Sequence, residues 1–436
     1  MGTTTTTAPP RSPLSGSRAS GKPGLVLGVL TAVNVLNYLD RYVAAAVLPL
    51  ILVDMRLTDG QGGLLQSTFI LTYSVVSPAI GWLGDRTRRL SLAGAGVLVW
   101  SAATVGSGVA QTLALLLAAR AMVGMGEASY GVVTPSLISD LYPPARRGRA
   151  LAIFYAAIPV GTALAYVLGG RIGVALGWRA AFLIVGAPGI LLGLTLLILR
   201  EPARGALDAG RATLAAATAG GGGVRGPTLR DGLRALGARR SYVFNTAAQT
   251  IYTFSMGGLA YWMPTYLHRT RGLSLEAATS AFGTVLVLAG FLGTLIGGQL
   301  GDRLAERVPG AHFAVAGWCL VASLPFTLLA LLSSSPAILW PAMFATLFLL
   351  FVNTGPLNAA MANVLPFDAR ALGFAVNMTL IHVLGDAFSP ALIGIVSGRT
   401  GLTPPVLATG LLLLAAGVVL LAGRAALERD VKAAAA

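Results

Sequence analysis

Charge is scarce in this chain of 436 residues. Asp, Glu, Lys and Arg make up 11% of it, against about 25% in ordinary soluble domains. Cysteine occurs once, at Cys319 in an apolar run, so no intramolecular disulfide can form. Only three histidines are present, which leaves no metal-ligand cluster. No P-loop, no H-E-x-x-H and no G-x-S-x-G occurs. These absences argue against direct ATP use and against an enzyme, and they predict no resident cofactor or metal.

What remains is apolar. Hydrophobic residues make up 55% of the chain and mean hydropathy is +0.76. Runs of about 20 apolar residues recur where barrel strands would alternate every second residue, so an all-α integral membrane protein is expected. The 55 glycines suit helices that approach closely. Twelve spans are expected: 25–53, 62–83, 91–110, 113–141, 149–170, 179–199, 242–267, 276–300, 312–332, 336–364, 371–397 and 402–423.

The net charge of +15 follows from topology rather than nucleic-acid binding. With both termini cytoplasmic, 23 of the 31 Lys/Arg fall on the inner side, as the positive-inside rule requires. Residues 1–24 are Thr-, Ser-, Pro- and Gly-rich and read as a disordered cytoplasmic tail, with a second tail at 424–436. The 200–241 stretch, with eight arginines and Gly220 to Gly223, reads as a flexible cytoplasmic linker between helical bundles at 25–199 and 242–423. The halves look like copies. Leu83-Gly84-Asp85-Arg86 recurs as Leu300-Gly301-Asp302-Arg303, and the same interval added to Leu25 lands on Tyr242, where the seventh span begins.

Gly81-Trp82-Leu83-Gly84-Asp85-Arg86-Thr87-Arg88-Arg89 lies between the second and third spans. It resembles the loop signature of the major facilitator superfamily, with the second glycine lost or shifted. That resemblance implies two pseudo-symmetric six-helix bundles with a substrate site between them. It also assigns Gly81, Gly84, Asp85, Arg86 and Arg89, with Asp302 and Arg303 in the second half, to closing a cytoplasmic gate. Asp85 is expected to cap a facing helix, and the arginines to grip an acid such as Asp140.

Asn37-Tyr38-Leu39-Asp40-Arg41, Arg120 through Gly124, Gly126, Glu127 and Tyr130, the Gly258 to Pro264 block, and His382 through Gly385, Asp386, Ser389 and Pro390 resemble the Spinster-type transporters of that superfamily. The resemblance implies cargo with a charged head and a lipid tail, such as a lysophospholipid. It also places a cavity residue at Tyr166.

The residues support a site independently. Charge at bilayer depth costs at least about 2.5–3.5 kcal/mol on insertion scales, so it signals function. Asp40, Glu127 and Asp386 lie near the centres of three different spans and so share one depth. On a helical wheel Asn34, Asn37, Tyr38 and Arg41 share a face, while Asp40 lies about 100° from Arg41. The two neighbours therefore need partners elsewhere. The superfamily resemblance implies that the first and fourth spans line one cavity, which makes Glu127 and Arg120 the expected partners. One reading is a charge cluster that only packs helices. The other is a switch, in which burial favours neutral Glu127, its protonation frees Arg41 for an anionic head group, and deprotonation restores the pair. His382 and Asp386, four apart, form either a second proton site or a fixed helix-orienting pair. Asn245, Gln249 and Tyr252 make a polar stripe on the seventh span, and Phe254, Met256 and Met361 are candidates for an acyl pocket.

The expected protein is a proton-coupled, alternating-access transporter of an anionic amphiphile. It would be monomeric and, from its Ala/Gly/Arg-rich composition, in a bacterial inner membrane. Multidrug or organic-anion transport, and a passive scramblase or channel, stay open.

Overall fold

The computed structural model describes residues 23–202, 204, 229–365 and 367–435. Almost all of the expected tail 1–24, and the 205–228 part of the linker with Gly220 to Gly223, lie outside the described residues. Helices account for the fold, with no strand among the described residues.

The first half comprises α1 (Pro23–Asp54), α2 (Asp59–Arg86), α3 (Arg89–Val109), α4 (Leu113–Gly131), α5 (Thr134–Leu141), α6 (Pro144–Tyr155), α7 (Ala157–Leu176) and α8 (Trp178–Ile198). A short helix α9 (Leu229–Ala238) occupies part of the expected flexible linker and packs beside the next helix. The second half comprises α10 (Arg240–Arg269), α11 (Leu275–Ala305), α12 (Ala311–Leu332), α13 (Pro336–Val352), α14 (Thr354–Val364), α15 (Phe367–Leu380), a π-helical turn (Ile381–Asp386), α16 (Ser389–Thr400), α17 (Thr403–Ala422) and α18 (Arg424–Ala435). The last, expected as a tail, is helical. Its Asp430 accepts from the Ser241 backbone N–H at 2.9 Å and so caps α10.

Ten helical stretches among the described residues are long and apolar enough to cross a membrane. The expected fourth and seventh spans are helices too, but polar ones. Arg120 and Glu127 sit inside α4, and Asn245, Gln249 and several Tyr, Ser and Thr residues lie along α10.

Four expected spans are broken rather than continuous, and each break has a proline behind it. α4 ends at Gly131, α6 at Tyr155, α13 at Val352 and the π turn at Asp386. These are the residues four before Pro135, Pro159, Pro356 and Pro390, whose rings cannot donate to those carbonyls and clash with them. Proline alone does not suffice, since Pro49, Pro78 and Pro188 sit inside unbroken helices.

The packing repeats between the halves. In the first, α3 lies on α8 and α4, α2 on α4, and α1 on α7 and α8. In the second, α12 lies on α17 and α13, α11 on α13, and α10 on α17, the π turn and α16. Contacts across the halves join α2 to α16, α7 to α11 and α1 to α10. They gather at the end opposite the Leu83–Arg86 and Leu300–Arg303 motifs. There a Cβ on Gly63 would stand 2.2 Å from the Pro390 carbonyl oxygen, and Asp59 binds both Arg269 (2.7 Å) and Ser397 (2.7 Å). The Tyr261 hydroxyl donates to the Gly62 carbonyl at 2.8 Å. The molecule is therefore sealed away from its motif end.

Candidate functional site

Arg41 and Glu127 meet in the first half's interior. The Arg41 guanidinium donates from Nη2 (2.8 Å) and Nε (3.3 Å) to Glu127 Oε2. The Glu127 side chain is 0% exposed and that of Arg41 19%, so the pair has one face on open space. Gly124 lets α4 lie close against α2, the helix that carries Phe69 and Tyr73, because a Cβ there would lie 2.4 Å from the Phe69 carbonyl. Three rings surround the guanidinium: Tyr38 at 4.9 Å, Phe69 at 5.2 Å and Tyr73 at 5.4 Å from their centroids. Such faces favour a cation in a dry site. Glu127 Oε1 has no hydrogen-bond partner among the described residues.

Asp40 and Arg120 do not form the second pair expected of them. Arg120 is fully buried beneath Phe69, and its guanidinium reaches the Asp40 backbone carbonyl (3.5 Å) and Gln66 Oε1 (3.4 Å), not the Asp40 carboxylate. The reason is the wheel itself. Asp40 projects away from Arg41 toward Trp100 and Thr104 of α3, where its Oδ1 is buried without a hydrogen-bond partner among the described residues.

A central cavity of about 150 Å³ runs from Arg41, Tyr42, Gln66, Phe69 and Tyr73 to Tyr252, His382 and Asp386 in the second half. His382 Nδ1 lies 3.1 Å from both oxygens of Asp386. Tyr42, Met256 and Ala260 also line a second, larger cavity of about 520 Å³, walled by Ile158, Leu286, Phe291, Leu295 and Phe351. A charged chamber thus adjoins an apolar one of the size that ligand pockets have.

Several expected cavity residues are engaged elsewhere. Asn34 donates to the Phe154 carbonyl at 3.0 Å and ties α1 to α6. Asn37, four residues before Arg41, is buried and lines neither cavity, but its side chain faces the Glu127 carboxylate, whereas Tyr38 lines the apolar cavity. Tyr166 is buried, its hydroxyl on the Ala260 carbonyl (2.7 Å) and its ring against Tyr42 and Phe282, so it braces α7 to α10. Gln249 donates to Asn245 (3.2 Å) and accepts from Asn377 (3.4 Å) in an amide chain on the second half. Met361 is buried in packing.

At the motif end the grip on Asp140 comes from Arg89 (2.7 Å), which also holds Glu201 (3.0 Å). Arg86, expected there, lies instead on the Trp82 ring at 4.1 Å, because it points outward from the last turn of α2. Gly84 lets that turn approach α5, a Cβ there falling 2.7 Å from Val133, whereas Gly81 has ordinary room. The Asp85 carboxylate is exposed and caps no helix among the described residues. Its backbone carbonyl, with those of Gly84 and Thr87, accepts from Arg204. Asp302 lies 3.6 Å from His312 and Arg303 is exposed.

The sequence reading missed Gln66, Phe69 and Tyr73, which face the cavity from α2. Their spacing of three and four was the available signal, overlooked because α2 carries no charge at that depth. It also missed Glu201 and Asn377, whose partners are distant in sequence.

Residues 30–390 match the sequence pattern of the Major Facilitator Superfamily. Protein spinster homolog 1 of Bos taurus is 35% identical over 409 residues, 87% of this chain and 74% of that protein. The sphingosine-1-phosphate transporter SPNS2 of Mus musculus is 35% identical over 387 residues, 85% of this chain and 69% of the relative. A crystal structure of a bacterial homolog to the human lysosomal transporter Spinster, inward-facing and unoccupied, superposes with a TM-score of 0.82 at 24% identity, covering 95% of this chain and 99% of that one. A D-xylose-proton symporter superposes at 0.69 with 15% identity, covering 91% and 96%. At those identities the structures speak to fold, and the sequence matches carry the rest. The chain is a multi-pass membrane transport protein, not an enzyme, and belongs to the spinster transporters of the major facilitator superfamily.

Proposed function

We propose that this chain is a proton-coupled, alternating-access transporter of an anionic single-chain amphiphile of the lysophospholipid class. The observation that carries this is the Arg41–Glu127 pair on the wall of a small charged cavity that continues into a larger apolar one. A guanidinium matches a phosphate fork, and the apolar chamber suits a tail. The relative named for sphingosine-1-phosphate carries cargo of the same pattern, a phosphate head on a lipid chain.

In this reading Glu127 takes a proton on its unpartnered Oε1 and its bond to Arg41 weakens. The freed guanidinium then holds the head group, and loss of the proton restores the pair and expels it. The motif end is cytoplasmic, by the inner excess of arginine, so both termini are cytoplasmic and the sealed end faces outward. The setting is a bacterial plasma membrane, and the working unit is a monomer.

The test uses proteoliposomes with a lysophospholipid as substrate and a pH gradient. Wild-type flux follows the gradient, while Glu127→Gln loses that dependence yet still exchanges substrate. Gradient-driven flux unchanged in Glu127→Gln refutes the coupling. Lysolipid binding unchanged in Arg41→Ala refutes the head-group site, and non-saturating flux without any gradient marks a passive scramblase.

A further inference from the structure

A separate pocket of about 520 Å³ opens at the motif end, on the flank of α1 and α6 away from the central cavity. Its lining is Leu27 of α1, Tyr142 just before α6, and Arg146, Arg149, Ala150 and Ile153 of α6. Leu27 lies near the start of one membrane-crossing stretch and Arg146 begins another, so the pocket sits at the bilayer boundary. Leu27 and Ala150 are buried and Ile153 is an exposed apolar wall.

Arg146 and Arg149 stand one turn apart on α6. Both are exposed, and neither has an ion-pair partner among the described residues. Arg147 between them is half-buried and engaged. Among the acids at this end, Asp140 and Glu201 are held by Arg89, and the exposed Asp85 forms no ion pair with Arg146 or Arg149 among the described residues. Two uncompensated guanidinium groups over an apolar floor, at the membrane boundary, complement a phosphodiester carried on an acyl chain.

We propose that this pocket binds an anionic membrane phospholipid, its phosphate between Arg146 and Arg149 and its chain along Ile153 and Leu27. The lipid bridges α6 to the start of α1, beside the bond from Asn34 to the Phe154 carbonyl. It therefore acts on the arm that precedes the break at Ala156 and not on the transport cavity.

The test is native mass spectrometry of the purified full-length chain titrated with phosphatidylglycerol or with phosphatidylcholine. Wild type, Arg41→Ala and the double variant Arg146→Gln/Arg149→Gln are compared. The expected result is one phosphatidylglycerol adduct in wild type and Arg41→Ala, weakened roughly 25-fold in the double variant, as for two surface cations each worth about fivefold. Phosphatidylcholine is expected to give no such adduct. Equal phosphatidylglycerol binding by the double variant, or equal retention of phosphatidylcholine, overturns the proposal. So does displacement by low-millimolar inorganic phosphate, which assigns the pocket to the free anion. Loss of the adduct in Arg41→Ala instead places the lipid in the transport cavity and overturns it too.

Discussion

Arg41 has two jobs that a single substitution cannot separate. It compensates a carboxylate that is wholly buried, and it presents a fork to the cavity. Removing one member of a buried pair costs up to about 3–5 kcal/mol, because the other charge is stranded. Arg41→Ala is therefore expected to lower the melting temperature in detergent, and Arg41→Ala/Glu127→Gln to recover most of the loss. Thermal melts of the four proteins measure the coupling, and additive effects would mean that the pair contributes nothing to the fold. Arg41→Lys keeps the charge but loses the fork and the stacking on Tyr38, Phe69 and Tyr73, so binding of a phosphate head should weaken tenfold or more, as roughly one bidentate charge-assisted contact. A titration by tryptophan fluorescence checks it. At this scale the sequence was partly legible. Depth and helical phase, both local to one helix, separated Arg41 from Asp40, and the superfamily resemblance set the fourth span and Glu127 opposite Arg41. They were silent on Asp40 and Arg120, where the outcome depends on what α3 supplies on the far side.

Helix existence was legible along the apolar runs, because apolar length is a property of composition, and was missed at α9 and α18, which carry no such run. Helix continuity was not. The four breaks fall four residues before Pro135, Pro159, Pro356 and Pro390, yet prolines elsewhere leave helices intact, so position in the bundle decides which carbonyls are released. The break at Asp386 matters most for the site, since the π turn carries both His382 and Asp386 to the cavity. Close helix approaches were equally hidden, because a glycine's neighbour cannot be read from its own chain. Gly63 is the sharpest case. A leucine there must push α2 from α16 at the sealed end, given the 2.2 Å that even a Cβ would leave to Pro390. Gly63→Leu is expected to disfavour this closed arrangement, so spin labels placed on α2 and α16 at that end should report longer distances than in wild type. Unchanged distances would show that the seal does not depend on that contact.

The whole molecule repeats its packing between halves, and the two motif loops lie at one end while the inter-half seal lies at the other. One four-residue match and an interval were enough to suggest the repeat, because duplicated helices must bury equivalent faces. Nothing in the sequence tells which end is closed, since that is a difference of a few kcal/mol between two packings of the same chain. Asp59 is the polar anchor of the seal, reaching Arg269 on α10 and Ser397 on α16 together. The Arg269 side chain is 33% exposed, so the ion pair is partly screened and contributes no more than about 1 kcal/mol. Asp59→Asn should therefore shift the balance between the sealed and open arrangements of that end by about fivefold at most. Maleimide labelling of a cysteine placed at Gln66, in a Cys319→Ser background, reads this directly. In sealed protein the site is shielded from an impermeant reagent added on that side of the membrane, and in Asp59→Asn it should label several times faster. If the rate is unchanged, the seal rests on the close packing of Gly62 and Gly63 against Tyr261, Pro390 and Ala391, and Asp59 only orients the start of α2.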